Sequence, residues 1–319
     1  MDRPEAPGAR QAAARKSWKS YLLYRAASGG EPPPETGCAM SYRTLIPASE
    51  LAKHVDDARW VIVDCRFTLS EPERGREDYF RSHIPGAVYA HLDRDLSGAA
   101  VPGKTGRHPL PSPERAAERF GSWGISDGVQ VVAYDDGSGG IAARLWWMLR
   151  YLGHDDAAVL DGGWGAWIEE ERPVASGAEV NPARSFSARV REHWIVDAER
   201  VDAIRRDEDW KLLDAREAGR FHGEEEPIDP IAGHIPGARS APFMENLDAS
   251  GRFLSREALR GRFGEIIGTT PPERVVSHCG SGVTACHNIL ALEHAGLAGS
   301  LLYPGSWSEW ITEEEREVA

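Results

Sequence analysis

Arg274-Val-Val-Ser-His-Cys-Gly-Ser-Gly-Val-Thr-Ala-Cys-His287 reads as three pieces in succession. Val275 and Val276 begin a short buried strand, and Gly280 and Gly282 punctuate a tight turn. The apolar positions Val283, Cys286, Leu290 and Leu297 then recur at a helical period. Cys279 therefore stands at the end of a strand with its side chain toward the first turn of a helix. Glycines let such a turn bring successive N–H groups together, and the helix start adds partial positive charge at the same point. The anion that such a turn would hold first is the thiolate of Cys279 itself, because electropositive helix starts favour ionised cysteine. The rival reading is a small apolar cysteine packed at a strand end. Strand, Gly-x-Gly turn and helix together form the setting a sulfur nucleophile needs.

Working outward, the same stretch has a counterpart earlier in the chain. Val131-Val-Ala-Tyr-Asp-Asp136 matches Val275-Val-Ser-His-Cys-Gly280 at an offset of 275−131=144. Trp60-Val-Ile-Val-Asp-Cys-Arg66 matches Trp210-Lys-Leu-Leu-Asp-Ala-Arg216, at 210−60=150. His83-Ile-Pro-Gly-Ala87 recurs as His234-Ile-Pro-Gly-Ala238, and Leu160-Asp-Gly-Gly-Trp164 as Tyr303-Pro-Gly-Ser-Trp307. Matches in one order with drifting offsets mean two copies of one fold, separated by loop deletions. The first copy has Asp135 at the position of Cys279, so it lacks the thiol nucleophile.

Each copy alternates short β-rich runs with helical ones. In the first these are Ser49–Val55 (helix), Val61–Asp64 (strand), Val88–Ala90 (strand), Pro113–Gly121 (helix), Val131–Tyr134 (strand), Ala142–Leu152 (helix) and Ala158–Leu160 (strand). The alternation predicts an α/β fold, each copy a mainly parallel sheet with helices on both faces. Active groups in such sheets lie at the carboxyl ends of strands, where Cys279 falls. The polar stretch Pro173–His193 reads as the interdomain linker, and the expected division is 1–40 as a disordered extension, 41–178 as a first domain, 179–194 as the linker and 195–319 as a second domain.

Cys279-Gly-Ser-Gly-Val-Thr-Ala285 resembles the active-site loop of the 3-mercaptopyruvate sulfurtransferases, members of the tandem-domain rhodanese family, and the resemblance extends over nearly all of residues 41–310. It implies two tandem rhodanese-like domains, the first catalytically silent and closing the cleft over the loop of the second. It implies that Cys279 attacks the sulfur of 3-mercaptopyruvate, releases pyruvate and becomes a persulfide. A small thiol, a reduced thioredoxin-like protein or cyanide then takes the outer sulfur, with no organic cofactor and no metal.

The resemblance also assigns residues. Ser281 and Asp93, the latter in His91-Leu-Asp-Arg-Asp95, would complete a Cys–Ser–Asp arrangement with the aspartate supplied by the other domain. His108, in Gly106-Arg-His-Pro-Leu-Pro111, would face the substrate, and Gly280, Gly282, Val283 and Thr284 would line it. Arg220, in Glu217-Ala-Gly-Arg-Phe221, would hold the substrate carboxylate, since a planar guanidinium meets a carboxylate bidentately. On the residues alone, Ser281 reads equally as a turn serine and Asp93 as a solvated loop carboxylate.

The chain departs from the family in two places. The thiosulfate branch carries Arg and Lys after the cysteine, where this chain has Gly280 and Ser281, which leaves only backbone dipoles in the loop. The mercaptopyruvate branch has a second arginine shortly after the first. Here His222-Gly-Glu-Glu-Glu-Pro-Ile-Asp-Pro230 is acidic and has none. Arg107 and Arg239 are the candidates to replace it. Phosphate-ester hydrolysis on the same fold needs Cys-x5-Arg, and the sixth residue after Cys279 is Ala285.

Composition sets the outer bounds. The 319 residues suffice for two cores, and 41% apolar with 27% charged residues is ordinary for a globular chain. A formal charge of −13 argues against a nucleic-acid partner, and no apolar run is long enough to span a membrane. Cysteines 38, 65, 279 and 286 form no disulfide framework, so a reducing, cytoplasmic setting is expected. Cys-x6-Cys with His278 and His287 matches no common zinc spacing. Cys65, Cys286, Trp146-Trp147, Trp164 and Trp307 read as packing residues. Residues 1–40 contain six basic and four acidic residues with Gly29-Gly30 and Pro32-Pro33-Pro34, and Met40-Ser-Tyr-Arg-Thr-Leu-Ile-Pro reads as the start of the first domain. A short helix over Ala12–Tyr24 fits this segment but has no evident partner.

Overall fold

The structure, a computed structural model, describes residues 41–136 and 138–319. The expected extension, its short helix and Cys38 lie outside the described residues. The first half runs β1 (Leu45–Ile46), α1 (Ala48–Leu51), β2 (Trp60–Asp64), α2 (Arg74–Arg81), β3 (Val88–Tyr89), α3 (Leu92–Asp95), α4 (Pro113–Ser122), β4 (Gln130–Tyr134), α5 (Gly140–Tyr151), β5 (Ala157–Leu160) and α6 (Gly163–Glu169). The second half runs α7 (Ala198–Ile204), β6 (Lys211–Asp214), α8 (Ala218–Phe221), β7 (Ala238–Ser240), α9 (Arg256–Ile267), β8 (Val275–His278), α10 (Ala285–His294), β9 (Leu301–Leu302) and α11 (Ser306–Trp310). Every strand pair is parallel, in the orders β1-β5-β4-β2-β3 and β7-β6-β8-β9.

The repeat survives at the level of register. Val61 pairs with Val131 as Lys211 pairs with Val275, and Asp64 with Tyr134 as Asp214 with His278. The second sheet has no counterpart of β1 beyond one parallel bridge between Ile195 and Leu302. Elements that the sequence pattern does not announce are short or charged. Of the eight residues of α2 only Gly75 and Tyr79 are buried, so no apolar stripe betrays it.

Because both faces of a parallel sheet are covered, successive strand residues go to opposite cores. Val131 and Ala133 join α5 on one face, while Val132 and Tyr134 meet α1 and Trp167 on the other. The inner face is shared: one apolar cluster contains Trp147 and Leu149 of α5 together with Cys286 and Leu290 of α10. The two halves therefore pack as one body through their equivalent helices. Cys65 and Cys286 are core thiols, as read from the sequence, and burial pushes Cys286 up to about 12.

Each half locks its central strand end with the same device. Arg66 Nη2 donates to Asp64 Oδ2 at 2.6 Å and to Ser82 O at 2.6 Å, and its guanidinium lies 4.6 Å from the Trp164 ring. Arg216 repeats this with Asp214 (2.7 Å), Gly233 O (2.7 Å) and Trp307 (4.8 Å). The recurrent His-Ile-Pro-Gly-Ala segments serve these locks. His83 stacks on Tyr79 and bonds its carbonyl, while His234 does both with Phe221. Since Asp214 is fully buried, Arg216→Ala should strand its charge and lower unfolding stability by roughly 3–5 kcal/mol in denaturant titration, with Arg216→Lys restoring part of it.

Candidate active site

The loop that carries Cys279 follows β8 directly and is braced from behind by α11. Trp307 N donates to Cys279 O at 2.9 Å and Ser308 N to Gly280 O at 2.9 Å, while Cys279 N donates to Ser306 Oγ at 3.1 Å. Ser306 holds a left-handed backbone (φ 56°), an uncommon conformation for a residue with a side chain. Gly282 has φ +75°, and a methyl group there would lie 2.3 Å from Pro304 O, so only glycine fits. This geometry turns the Gly282 N–H onto Cys279 Sγ at 3.2 Å. The thiol is 2% exposed. Val283 is buried in the shared core, and the Thr284 methyl faces Gly140 of α5.

Asp135, the counterpart of Cys279, shows what the same turn holds when no sulfur is needed. Its carboxylate accepts from Gly139 N (2.8 Å), Ile141 N (2.9 Å) and Ala142 N (3.1 Å) at the start of α5. In the first half the turn is an anion nest, and in the second the same turn aims the Gly282 N–H at Cys279 Sγ.

The first half supplies the groups that the loop lacks. Gly106 approaches Gly305 O so closely that a methyl would sit 2.4 Å away, and Arg107 N donates to Ser308 Oγ at 3.1 Å. That contact delivers His108 to the loop. Its Nδ1 lies 2.8 Å from Ser281 Oγ and its Nε2 3.2 Å from Asp93 Oδ1. Burial, opposed by Asp93, pushes His108 down to about 4, so the ring is neutral at neutral pH. The acceptor-only carboxylate then claims the Nε2 proton, and Nδ1 accepts from the Ser281 hydroxyl. The structure thus joins Asp93, His108 and Ser281 in one chain, with His108 standing between the other two.

Arg220 and Arg107 lie over Gly280. A methyl on Gly280 would be 2.8 Å from Arg107 Nη2 and 3.6 Å from both Nη atoms of Arg220. The expectation of a loop served by backbone dipoles alone is therefore corrected: two cations reach it from outside the loop. Arg239 instead bonds Ile266 O at the surface. The acidic segment also acquires a role in geometry. Glu226 Oε1 accepts from Arg220 Nε (3.0 Å) and Nη2 (2.7 Å), and Asp229 accepts from Arg220 Nη2 (3.0 Å) and from Arg107 Nη1.

Arg144, Ser306, Ser308 and Asp229 escape the sequence reading. The first has a visible signal, a lone arginine inside the apolar run Ile141-Ala-Ala-Arg-Leu-Trp-Trp147. It is fully buried and donates to Gly282 O (2.8 Å), His108 O (3.1 Å) and Leu96 O (3.3 Å). His278 and His287 go separate ways: His278 lies 3.9 Å from Asp214, and His287 stacks on Phe253 and contacts Asn246.

The fold and this site define a class. Residues 47–170 and 197–313 both match the rhodanese-like domain, and the chain belongs to that family. A Pseudomonas aeruginosa protein named "Probable 3-mercaptopyruvate sulfurtransferase" is 45% identical over 281 residues, 88% of this chain and 99% of that protein. The Mycobacterium tuberculosis protein SseB, named as a thiosulfate sulfurtransferase, is 37% identical over 280 residues, 86% of this chain and 96% of its own length. Among solved structures, Escherichia coli SseA, a 3-mercaptopyruvate sulfotransferase, superposes with a TM-score of 0.73 at 31% identity, covering 84% of this chain and all of that one.

Gly282→Ala should force the loop to open by displacing the N–H from Cys279 Sγ. The expected cost is about 1–3 kcal/mol of stability, read by thermal or denaturant unfolding, together with slowed alkylation of Cys279 at neutral pH.

Proposed function

We propose that the chain is a sulfurtransferase that takes sulfur from 3-mercaptopyruvate onto Cys279 and passes it to a thiol or to cyanide. The observation that carries this reading is the Gly282 N–H on Cys279 Sγ with the Ser281–His108–Asp93 chain beside it. The Cys279 thiolate attacks the donor sulfur, an S–S bond forms, and the C–S bond breaks toward the carbonyl-stabilised carbon. The thiol proton passes to Ser281 and His108 and returns to that carbon, which leaves as pyruvate. The nest N–H then faces the persulfide, and a small thiol or a thioredoxin-like protein collects the outer sulfur in a ping-pong cycle. Arg220, joined by Arg107, holds the donor carboxylate. The chemistry calls on no organic cofactor.

In this reading residues 41–178 form the silent half and 195–319 the catalytic half, joined by the linker 179–194. The half carrying Asp135 contributes Asp93, Arg107 and His108 instead of a nucleophile. Thiol acceptors and unpaired cysteines suit a cytoplasmic setting. Among the described residues no helix is long and apolar enough to cross a membrane. A second reading, thiosulfate as donor, is favoured by the two guanidiniums over Gly280 and by the name that SseB carries. A carrier without turnover is disfavoured by the completed proton chain.

Cys279→Ser should abolish transfer, and donor-treated wild type should gain about 32 Da on the peptide containing Cys279, as persulfide formation requires. Mass on Cys286 or Cys65 instead would overturn the assignment. Side-by-side kinetics should give a kcat/KM for 3-mercaptopyruvate at least about tenfold above that for thiosulfate, roughly 1.4 kcal/mol. Arg220→Ala should raise KM for mercaptopyruvate at a cost of about 1.5–3 kcal/mol.

A further inference from the structure

The two guanidiniums over Gly280 come from different halves, and carboxylates occupy only their outer edges. Asp229 bridges them, with Oδ1 on Arg107 Nη1 and Oδ2 on Arg220 Nη2 at 3.0 Å. Glu226 takes the rest of the outer edge of Arg220. The carboxylate-free inner groups, Arg107 Nη2 and Arg220 Nη1, make no hydrogen bond among the described residues, and both lie near Gly280, the residue after Cys279, as does Arg220 Nη2. Asp229 is itself rigidly placed. Its N–H and that of Ile228 donate to Glu226 Oε1 at 3.0 and 3.1 Å, prolines 227 and 230 flank it, and it is 8% exposed.

We propose that Asp229 is the residue that sets donor specificity: it aims the inner edges of Arg107 and Arg220 at one substrate carboxylate and cancels enough charge that the site selects monoanions over dianions. This rests on the reading that Cys279 receives sulfur from a soluble anionic donor.

Arg107 and Arg220 bring two positive charges, and Glu226 and Asp229 bring two negative ones. Arg216, 3.3 Å from Glu226, is already neutralised by Asp214. A monocarboxylate thus finds two aimed N–H donors in a balanced site and forms charge-assisted hydrogen bonds with both. A compact dianion such as thiosulfate gains little from this pair, because Glu226 and Asp229 already balance the pair's two charges, and the remaining cation at the loop, Arg144, spends its Nη groups on backbone carbonyls. Replacing Asp229 by a neutral group of the same shape leaves a surplus of one positive charge and loosens the aim of Arg107. Burial and Glu226 hold the Asp229 carboxyl above the usual range against the pull of its arginines, consistent with a carboxylate pinned by geometry rather than by solvent.

The test uses the full-length protein with Asp229→Asn and Asp229→Glu, each assayed with 3-mercaptopyruvate and with thiosulfate. Asp229→Asn should raise the ratio of kcat/KM for thiosulfate over mercaptopyruvate by at least tenfold, KM falling for the first and rising for the second, and Asp229→Glu should return the ratio most of the way. General destabilisation would lower both activities together, and an unchanged ratio overturns the proposal. A measurement on wild type alone stands beside it. Pyruvate, a monocarboxylate, should compete with mercaptopyruvate at least fivefold more tightly than malonate, a dianion; equal or reversed inhibition overturns the proposal even if the variants do not fold. Mass analysis of Cys279 after donor treatment separates the two levels. Persulfide on Cys279 with an unchanged ratio sinks the role of Asp229, whereas no persulfide on Cys279 sinks the functional reading beneath it.

Discussion

The site depends on one buried cation. Arg144 is removed from water inside the helix that joins the two cores, and among the described residues no carboxylate pairs with it. Removing an unpaired charge from water costs several kcal/mol unless hydrogen bonds replace the lost solvent. Three carbonyls do so, and they belong to different places: Gly282 in the catalytic loop, His108 in the first-half loop and Leu96 after α3. The same guanidinium therefore sets the distance between the residues on which the proton chain and the sulfur nest depend. A shift of either half would leave it unsatisfied, so the penalty for opening the seam is electrostatic as well as apolar.

The duplication shows how one turn serves two ends. After β4 and β8 both halves turn backbone N–H groups toward the residue at the strand end, Asp135 or Cys279, and both lock the end of the neighbouring strand, β2 or β6, with an Asp–Arg pair under a tryptophan. Only the second half spends the nest on sulfur. The first fills it with Asp135, which caps α5 and so secures the helix carrying Arg144. The carboxylate at the cysteine's position thus does structural work for both halves.

Much of this was legible in residue order alone. Cys279 with its glycines, the repeat, the parallel α/β sheets and the core positions of Cys65 and Cys286 are local or periodic properties, and periodicity follows from the backbone. The helices that the pattern does not announce, α2 above all, bury too few side chains to leave a stripe. For the site, the resemblance named Ser281, Asp93, His108 and Arg220, and the structure brings the first three into one chain and sets the fourth over Gly280.

The sequence by itself determined which residue types meet at a strand-to-helix turn, because a strand end, two glycines and a helix start are all written within a few positions. Tertiary structure alone decided the partners of that turn. Arg107 lies 280−107=173 positions from the glycine it approaches, and the segment that looked merely acidic, Glu224–Asp229, turns Glu226 and Asp229 inward onto arginines. Charge pairing across such separations depends on which surfaces the two halves bury against each other. No periodicity or spacing encodes that, so the sequence could name Arg107 and Arg239 as candidates for the missing arginine's place but could not choose between them.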